Sequence, residues 1–126
     1  MDLAVVIPTR NRPALLADCL RTLAGQKTTA SVEVVVVDDG SVDPLSPVVA
    51  EFSAQAITFR TLRTPSAGLS VARNRGVEAT TADLIAFLDD DTLVAPGWCD
   101  GVVTAFREFG CAGLADRKST RLNSSH

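Results

Sequence analysis

The segment VEVVVVDDGS, residues 32–41, decides the fold class of this chain. Its first six residues are β-branched and apolar apart from Glu33, which is typical of a strand that is covered on both faces. Strands of this kind occur mainly in parallel sheets. The segment therefore predicts a buried strand over residues 32–37 of a parallel sheet, followed by a turn at DDGS.

Segments of strand type and helix type alternate on both sides of this strand. Apolar runs predict strands at residues 3–7, with Pro8 as the stop, and at 57–62, 84–88 and, as the start of another strand, 111–115. Apolar residues at helical spacing predict helices at residues 14–24, from Pro44 or Pro47 to Phe52, at 68–79 and at 96–109. Alternating strands and helices imply right-handed crossovers and a layered α/β domain.

The composition excludes several classes of protein. The 126 residues are 46% hydrophobic with a net charge of -3, so no basic surface favours nucleic acid. Cys19, Cys99 and Cys111 lack CxxC spacing, and we expect them to be small buried residues in a reducing compartment. The amino terminus lacks a basic segment followed by a long apolar stretch, and no apolar run approaches ~20 residues, so we expect neither a secretory leader nor a membrane span. We therefore expect a cytoplasmic protein and leave membrane association of the full-length protein open.

The last eleven residues, DRKSTRLNSSH at 116–126, are polar and rich in Ser and Arg. One reading frame of a common sequencing adapter translates to the same eleven residues, so a non-native tail has to be considered. We expect residues 1–115 to carry the fold and residues 116–126 to be translated adapter. The tail contains the only histidine, His126, so a histidine is not expected in the site.

Two of the predicted strands end in acidic residues, Asp38 and Asp39 in one case and Asp89, Asp90 and Asp91 in the other. Ligands of open α/β sheets bind beyond the carboxyl ends of the strands, so these carboxylates are candidates for one site. In an extended segment Asp89 and Asp91 would share a face. Converging carboxylates repel each other, so a cation between them is favourable. Oxygen ligands without His or Cys favour Mg²⁺ or Mn²⁺, and substrate phosphates usually complete the coordination of such an ion. An acidic turn without any ligand is the plainer alternative for each motif.

Other loops at the same edge carry groups suited to a nucleotide. The first strand ends in PTRN, residues 8–11, which could shape a base pocket, although Asn11 is equally suited to capping a helix ahead of Pro13. Arg73 and Arg75 lie near the start of a helix, where guanidinium and backbone N–H groups favour phosphate. An exposed helix face is the alternative for these arginines.

Several common sites are missing from the sequence. No GxxxxGK[ST], GxGxxG or GxSxG motif occurs, so the usual NTPase, dinucleotide and hydrolase sites are not predicted. A phospho-acceptor signalling domain needs a downstream lysine, whereas the only lysine before the tail is Lys27. A nucleotidyltransferase needs a glycine-rich basic loop, and PTRNRP contains no glycine.

Four ordered segments, VVIPTRNRP, VVVVDDGS, GLSVARNRG and IAFLDDDT, together resemble family 2 glycosyltransferases with the GT-A fold. The resemblance extends over residues 4–98. It implies a Rossmann-like three-layer sandwich with a mostly parallel sheet, of strand order 3-2-1-4 in the nucleotide-binding half. Residues 1–115 would be that half, truncated.

The resemblance implies a nucleoside-diphosphate sugar as donor, linked to UDP, GDP or dTDP, with Mg²⁺ or Mn²⁺ as cofactor. Together with the reading of the loops it gives nine donor-binding candidates: Pro8, Thr9, Arg10, Asn11, Asp38, Asp39, Arg73, Asp89 and Asp90. Asp39 would contact the base, and Arg73 would lie near the base and the diphosphate. In the DxD-type motif Asp91 and Asp89 would bind the metal, with Asp89 or Asp90 toward the ribose and a metal-bound water, and the triple Asp permits two registers for these roles.

The implied reaction is metal-dependent transfer of a sugar to a hydroxyl of a glycan, lipid or small molecule, with inversion at the anomeric carbon. The catalytic base of the family lies downstream of the DxD motif, in the acceptor-binding half, and this sequence stops before it. We therefore expect a donor-binding fragment that is inactive on its own. The alternative is a non-catalytic module that binds nucleotide sugars, which the same residues would allow.

Overall fold

The computed structural model describes residues 1–109 and 115–116 of the chain. Strands and helices alternate as predicted, and their order is β1 (Leu3–Thr9), α1 (Pro13–Ala24), β2 (Val32–Asp39), α2 (Ser46–Ala50), β3 (Ile57–Thr64), α3 (Leu69–Glu78), β4 (Leu84–Phe87), α4 (Trp98–Phe109) and β5 (Ala115–Asp116). No helix in the described part of the chain is both long enough and apolar enough to span a membrane.

The strands form one sheet in the order β3-β2-β1-β4-β5. The first four are parallel, and β5 pairs antiparallel with β4. This arrangement confirms the mostly parallel α/β sheet and the predicted order 3-2-1-4. Of the segment 111–115, where another strand was predicted to start, only Ala115 lies within the described residues, and it belongs to β5.

Pro8 does not stop β1, contrary to the prediction, because the strand continues to Thr9. The carbonyl of Val6 faces β4 and accepts a hydrogen bond from the Leu88 amide at 3.1 Å. Pro8 is two residues further on and faces the same side, where the pairing of β1 with β4 has ended. Its missing N–H therefore removes no hydrogen bond from the sheet.

The other differences concern the ends of elements. β2 and β3 each continue two residues beyond the predicted strand, to Asp39 and Thr64, and the two strands pair over this added length. α2 is only five residues long, and α4 begins at Trp98 rather than at Pro96. Gly68 precedes α3 as its N-cap, which agrees with the predicted glycine at the helix entry.

Helices cover both faces of the sheet, so two cores form. On one face β1 and β2 pack against α1, α2 and α4, with Val34 and Val36 of β2 in this core. On the other face Val35 and Val37 belong to the core that contains Ala72 of α3. The valine run of β2 is therefore covered on both sides, as its composition predicts.

Cys19 and Cys99 are buried and unpaired, as predicted, whereas Cys111 lies outside the described residues. Burial, with a smaller contribution from the charges of Asp90 and Asp91, raises the pKa of the Cys19 thiol to about 12. Burial likewise raises the pKa of Cys99 to about 11. Both thiols are therefore neutral packing residues at physiological pH.

Candidate functional site

The end of β1 with the loop after it, the end of β2, the entry to α3 and the loop after β4 surround a cleft of about 450 Å³ at the carboxyl edge of the sheet. This is where ligands bind in open α/β sheets. The residues that line the cleft come from these four segments: Pro8, Thr9, Arg10, Arg12, Asp39, Gly68, Leu69, Asp89, Asp90 and Asp91. The cleft therefore brings together most of the predicted site residues, whereas Asn11, Asp38 and Arg73 are not among its lining residues.

The three consecutive aspartates lie in a turn of residues 89–92, here called the acidic turn, and not in an extended segment. The amide of Thr92 donates to the carbonyl of Asp89 at 3.0 Å, so Asp90 and Asp91 are the central residues of this turn. The prediction that strand-like alternation places Asp89 and Asp91 on one face was therefore wrong in its premise. The two residues still line the same cleft, and both are open to solvent: Asp91 is exposed and the side chain of Asp89 is 48% exposed.

Asp90 differs from its two neighbours because its side chain is only 9% exposed. The hydroxyl of Thr9 donates to Oδ2 of Asp90 at 2.9 Å, and Nη1 of Arg12 donates to Oδ1 at 3.2 Å. Both carboxylate oxygens are thus engaged by the end of β1 and the loop that follows it. Arg12 is a cleft residue that the sequence analysis missed, although it stands in the PTRNRP motif.

Asp39 ends β2 and is almost completely buried, but it lines the cleft. Its Oδ1 and Oδ2 accept hydrogen bonds from the amides of Ala67 and Gly68 at 3.0 and 3.1 Å. Gly68 has a φ of 101°, a conformation that glycine adopts far more readily than other residues. A carboxylate has about four lone-pair sites, so Asp39 can still accept an N–H from a ligand.

Asp38 points into the loop between β2 and α2. Its carboxylate accepts the amides of Ser41 and Leu45, each at 3.0 Å, and Nη1 of Arg63 at 3.2 Å. Burial acts to raise the pKa of Asp38, but hydrogen bonds from Ser41 and Leu45 and the charge of Arg63 outweigh it, so the pKa lies below its ordinary value. Donor binding by Asp38 stays a prediction, and the contacts assign this carboxylate to holding the loop.

Asn11 connects the loops that follow β1 and β2. Its Oδ1 accepts the amide of Val42 at 2.8 Å, and its own amide donates to the hydroxyl of Ser41 at 2.8 Å. The alternative role of Asn11 as a helix cap is wrong, because Arg12 occupies the N-cap of α1. Asn11 has a φ of 55°, a left-handed conformation that asparagine tolerates better than most residues.

The two predicted arginines of α3 lie differently. Nη2 of Arg73 is 3.8 Å from Oδ1 of Asp89, so this guanidinium lies beside the acidic turn. Arg75 forms an ion pair with Glu78 on the exposed surface of the helix, with 3.6 Å between Nη1 and Oε2. Only Arg73 therefore stands where it can act at the cleft.

The acidic turn fits a hard divalent cation whose remaining ligands come from water and a substrate. Residues 1–109 and 115–116 contain no group of three or more His, Cys, Asp or Glu side chains arranged to hold a metal by themselves. Mg²⁺ and similar ions are usually held by one or two carboxylates, with water and substrate phosphates as the other ligands. Asp89 and Asp91 are two solvent-accessible carboxylates in the cleft, so they meet this requirement.

Comparison with known proteins gives consistent relatives. The model of the family described as "Glycosyl transferase family 2" matches residues 4–119. The validoxylamine A glucosyltransferase of Streptomyces hygroscopicus subsp. jinggangensis is 42% identical over 106 residues, which are 82% of this chain and 25% of that protein. The hyaluronan synthase of Pasteurella multocida is 36% identical over 110 residues, which are 86% of this chain and 11% of the synthase.

Among solved structures, S. aureus TarS 1-349 in complex with UDP-GlcNAc superposes with a TM-score of 0.75 at 26% identity. The superposition covers 87% of this chain and 32% of TarS 1-349. The chain therefore spans about a third or less of the length of each of these relatives.

Proposed function

The chain belongs to glycosyl transferase family 2, and from this premise we propose that it is the donor-binding part of a glycosyltransferase. The proposed reaction moves a sugar from a nucleoside diphosphate to an acceptor hydroxyl, with inversion at the anomeric carbon. Membership of the family confirms the resemblance carried by the four sequence motifs, and the likeness to TarS confirms the GT-A fold. The observation that carries the proposal is the cleft in which Asp39, Thr9 and the acidic turn meet.

For the nucleoside, we propose that Asp39 accepts the ring N–H of the base. Two backbone amides fix this carboxylate at the cleft, which supports a role in reading a hydrogen-bond donor. The relative TarS has been solved in complex with UDP and with UDP-GlcNAc. A uridine nucleotide is therefore the first donor to test, and GDP- and dTDP-sugars follow it.

For the diphosphate, we propose the guanidinium groups of Arg10 and Arg73. Arg10 is exposed and lines the cleft, and it has no ion-pair partner among the described residues. Arg73 lies beside Asp89 at 3.8 Å and is partly buried. Planar guanidinium groups match phosphate oxygens in geometry and remain charged at physiological pH.

For the cofactor, we propose Mg²⁺ or Mn²⁺ held by Asp89 and Asp91. When bound, such an ion stabilises the negative charge that develops on the departing diphosphate. The acceptor hydroxyl must lose its proton to a base. The cleft carboxylates among the described residues are engaged by Thr9, Arg12 and backbone amides or are assigned to the metal, so we propose that the base belongs to an acceptor-binding half outside this chain.

Calorimetric titration of the 126-residue chain with UDP-GlcNAc and UDP, in Mn²⁺ and in EDTA, tests donor binding. We expect Asp91→Ala to lower the affinity for UDP at least ten-fold in Mn²⁺, and to leave or raise it in EDTA because a negative charge near the diphosphate is removed. Asp18→Ala is the control, since Asp18 lies on the exposed surface of α1 and pairs with Arg21. Mn²⁺-dependent affinity that is unchanged in Asp91→Ala would contradict the metal assignment.

Failure of UDP-, GDP- and dTDP-sugars to bind would contradict the function as a whole. A transfer assay with the full-length gene product and a labelled donor separates an enzyme from a module that only binds nucleotide sugars. Transfer of label to an acceptor, with Asp91→Ala inactive, is the result expected of an enzyme.

A further inference from the structure

An ion pair connects two segments of the cleft that are far apart in sequence. Arg12 stands between β1 and α1, and Asp90 follows β4, 78 residues later. The hydroxyl of Thr9, itself buried, makes a second contact with the same carboxylate. These hydrogen bonds attach Asp90, the middle one of the three aspartates, to the end of β1 and the residues after it.

The contacts make Asp90 a poor metal ligand. Its two oxygens already accept hydrogen bonds, and its side chain is nearly buried. A divalent cation bound to this carboxylate would also lie close to the guanidinium of Arg12, and the two positive charges would repel each other. Asp89 and Asp91 are both open to solvent, and Arg73 approaches Asp89 only to 3.8 Å, so these two carboxylates are the less restricted ligands.

The turn itself transmits the position of Asp90 to its neighbours. The hydrogen bond from the Thr92 amide to the Asp89 carbonyl closes residues 89–92 into one unit. Because Asp90 anchors this four-residue turn, Asp89 and Asp91 are held in a fixed orientation. Fixing the ligands in advance strengthens binding, because less freedom is lost when the ligand arrives.

We infer that Asp90 is a positioning residue, which the Thr9 hydroxyl and the Arg12 guanidinium hold so that Asp89 and Asp91 face the donor and its cation. The inference rests on the proposed function. It decides between the two registers that three consecutive aspartates permit, since it assigns the ligand role to the outer two. It also gives Arg12 a role through Asp90 and not through direct contact with the donor.

A double-substitution cycle tests the inference on the full 126-residue chain, with UDP and Mn²⁺ as the probe. The variants are Arg12→Met, Asp90→Asn and the two together, and UDP affinity is measured in Mn²⁺ and in EDTA. We expect each single variant to lose about ten-fold in affinity in Mn²⁺, in line with the loss of a hydrogen bond to a charged group. The double variant should bind UDP no more weakly than the single variant with the larger loss, because both substitutions remove the same contact.

In EDTA the double variant, which lacks both charges of the ion pair, should bind UDP within about two-fold of the wild type, since Asp89 and Asp91 then hold no cation. Arg12→Lys, which keeps the charge, should recover part of the loss in Mn²⁺. Arg21→Met is the matched control, because Arg21 of α1 likewise pairs with an aspartate, but at the exposed surface. Melting temperatures of all variants show whether each is folded, and Arg12 is 53% exposed, so its replacement leaves the core intact.

Any of the following results would overturn the inference. Tighter Mn²⁺-dependent binding in Arg12→Met would mean that the released Asp90 is itself a metal ligand. Additive losses in Mn²⁺, or a loss in the double variant that is as large in EDTA as in Mn²⁺, would mean that Arg12 contacts the donor directly. Single variants that bind as well as the wild type would mean that the ion pair has no effect on the site. A wild-type chain that binds neither UDP nor a GDP- or dTDP-sugar in Mn²⁺ would remove the proposed function as well, whereas the other results leave it standing.

Discussion

Replacing Gly76 in α3 by alanine is expected to destabilise the protein, although alanine is the better helix former. A Cβ at this position would lie 2.3 Å from Cγ1 of Val6 and 3.2 Å from Cγ2 of Val37. Both valines are fully buried in the sheet, and β-branched side chains have few alternative rotamers. Neither valine can turn away, so α3 has to move outward from β1 and β2.

The two opposing contributions can be compared. Alanine gains about 1 kcal/mol over glycine in the interior of a helix. Adding a methyl group to a filled core costs about 1–3 kcal/mol, and a contact as short as 2.3 Å belongs at the upper end. The net loss is therefore about 2 kcal/mol, which lowers the melting temperature of a domain of this size by about 10 °C.

Gly101 in α4 provides the matched control. It is exposed, and a Cβ there would meet nothing within 4 Å. Gly101→Ala should therefore keep the propensity gain without the clash and raise the stability by roughly 0.5–1 kcal/mol. Replacing glycine by alanine is thus expected to lower the stability in α3 and to raise it in α4.

Urea unfolding followed by circular dichroism measures both variants against the wild type. Val6→Ala should partly rescue Gly76→Ala, because it removes the two atoms of Val6 that the new methyl group meets. A Gly76→Ala variant that is as stable as Gly101→Ala would show that α3 does not lie this close to β1. That result would also remove the basis for placing Arg73 beside the acidic turn.

The loop after β2 gives further predictions. Asp38→Asn replaces an acceptor by an N–H group facing backbone amides and is expected to cost about 2 kcal/mol at pH 7. The pKa of Asp38 is lowered by folding, so its stabilisation is present above the unfolded pKa of about 3.9 and is lost as the pH falls through the folded pKa. Urea unfolding at pH 7 and pH 3 should show a difference between wild type and variant that shrinks at pH 3; a constant difference would contradict this. Gly40→Ala combines a φ of 73° with a Cβ 2.7 Å from the amide of Ser66, whereas Gly68→Ala has a φ of 101° and nothing within 4 Å. Thermal melting should show the larger loss for Gly40→Ala, and the reverse order would be inconsistent with the described loop.

Much of the fold could be predicted because the apolar runs of the strands are continuous. The valines of β2 and the alternation of strands with helices indicated the parallel sheet, and the family resemblance supplied the strand order. The ends of the strands were less predictable, because Asp38 and Asp39 are typical turn residues. Pairing with β3 keeps them in the strand, and this long-range effect has no local signal.

The position of the cleft could be predicted from topology, since every candidate loop follows a parallel strand. The different positions of the Asp38 and Asp39 carboxylates could not be predicted from the sequence. Neighbouring strand residues face opposite sides, but only the packed loops decide that Asp39 lines the cleft while Asp38 binds Ser41, Leu45 and Arg63. Arg12 was missed for a similar reason, because its partner is 78 residues away in the chain.

The division of the chain at residue 115 stays a prediction. β5 consists of Ala115 and Asp116, so it includes one residue on each side of the proposed boundary, and Asp116 pairs with Leu84. A backbone pairing needs no particular side chain, and for this reason it does not distinguish a native residue from a translated adapter. The nucleotide sequence of the gene decides the matter, and codons unrelated to the adapter would refute the proposal.

The distribution of charge in and around the cleft supports the proposed cation at the acidic turn. Arg63 and Arg12 compensate Asp38 and Asp90, and two backbone amides stabilise Asp39. The least compensated negative charge is left on Asp89 and Asp91, where Arg73 approaches only to 3.8 Å. A diphosphate brought to this turn would be repelled, by about 4 kcal/mol for two unit charges at 4 Å and an effective dielectric constant of 20. A divalent ion between the turn and the diphosphate reverses the sign of this interaction, so the same carboxylates that oppose the donor in EDTA should hold it in Mn²⁺.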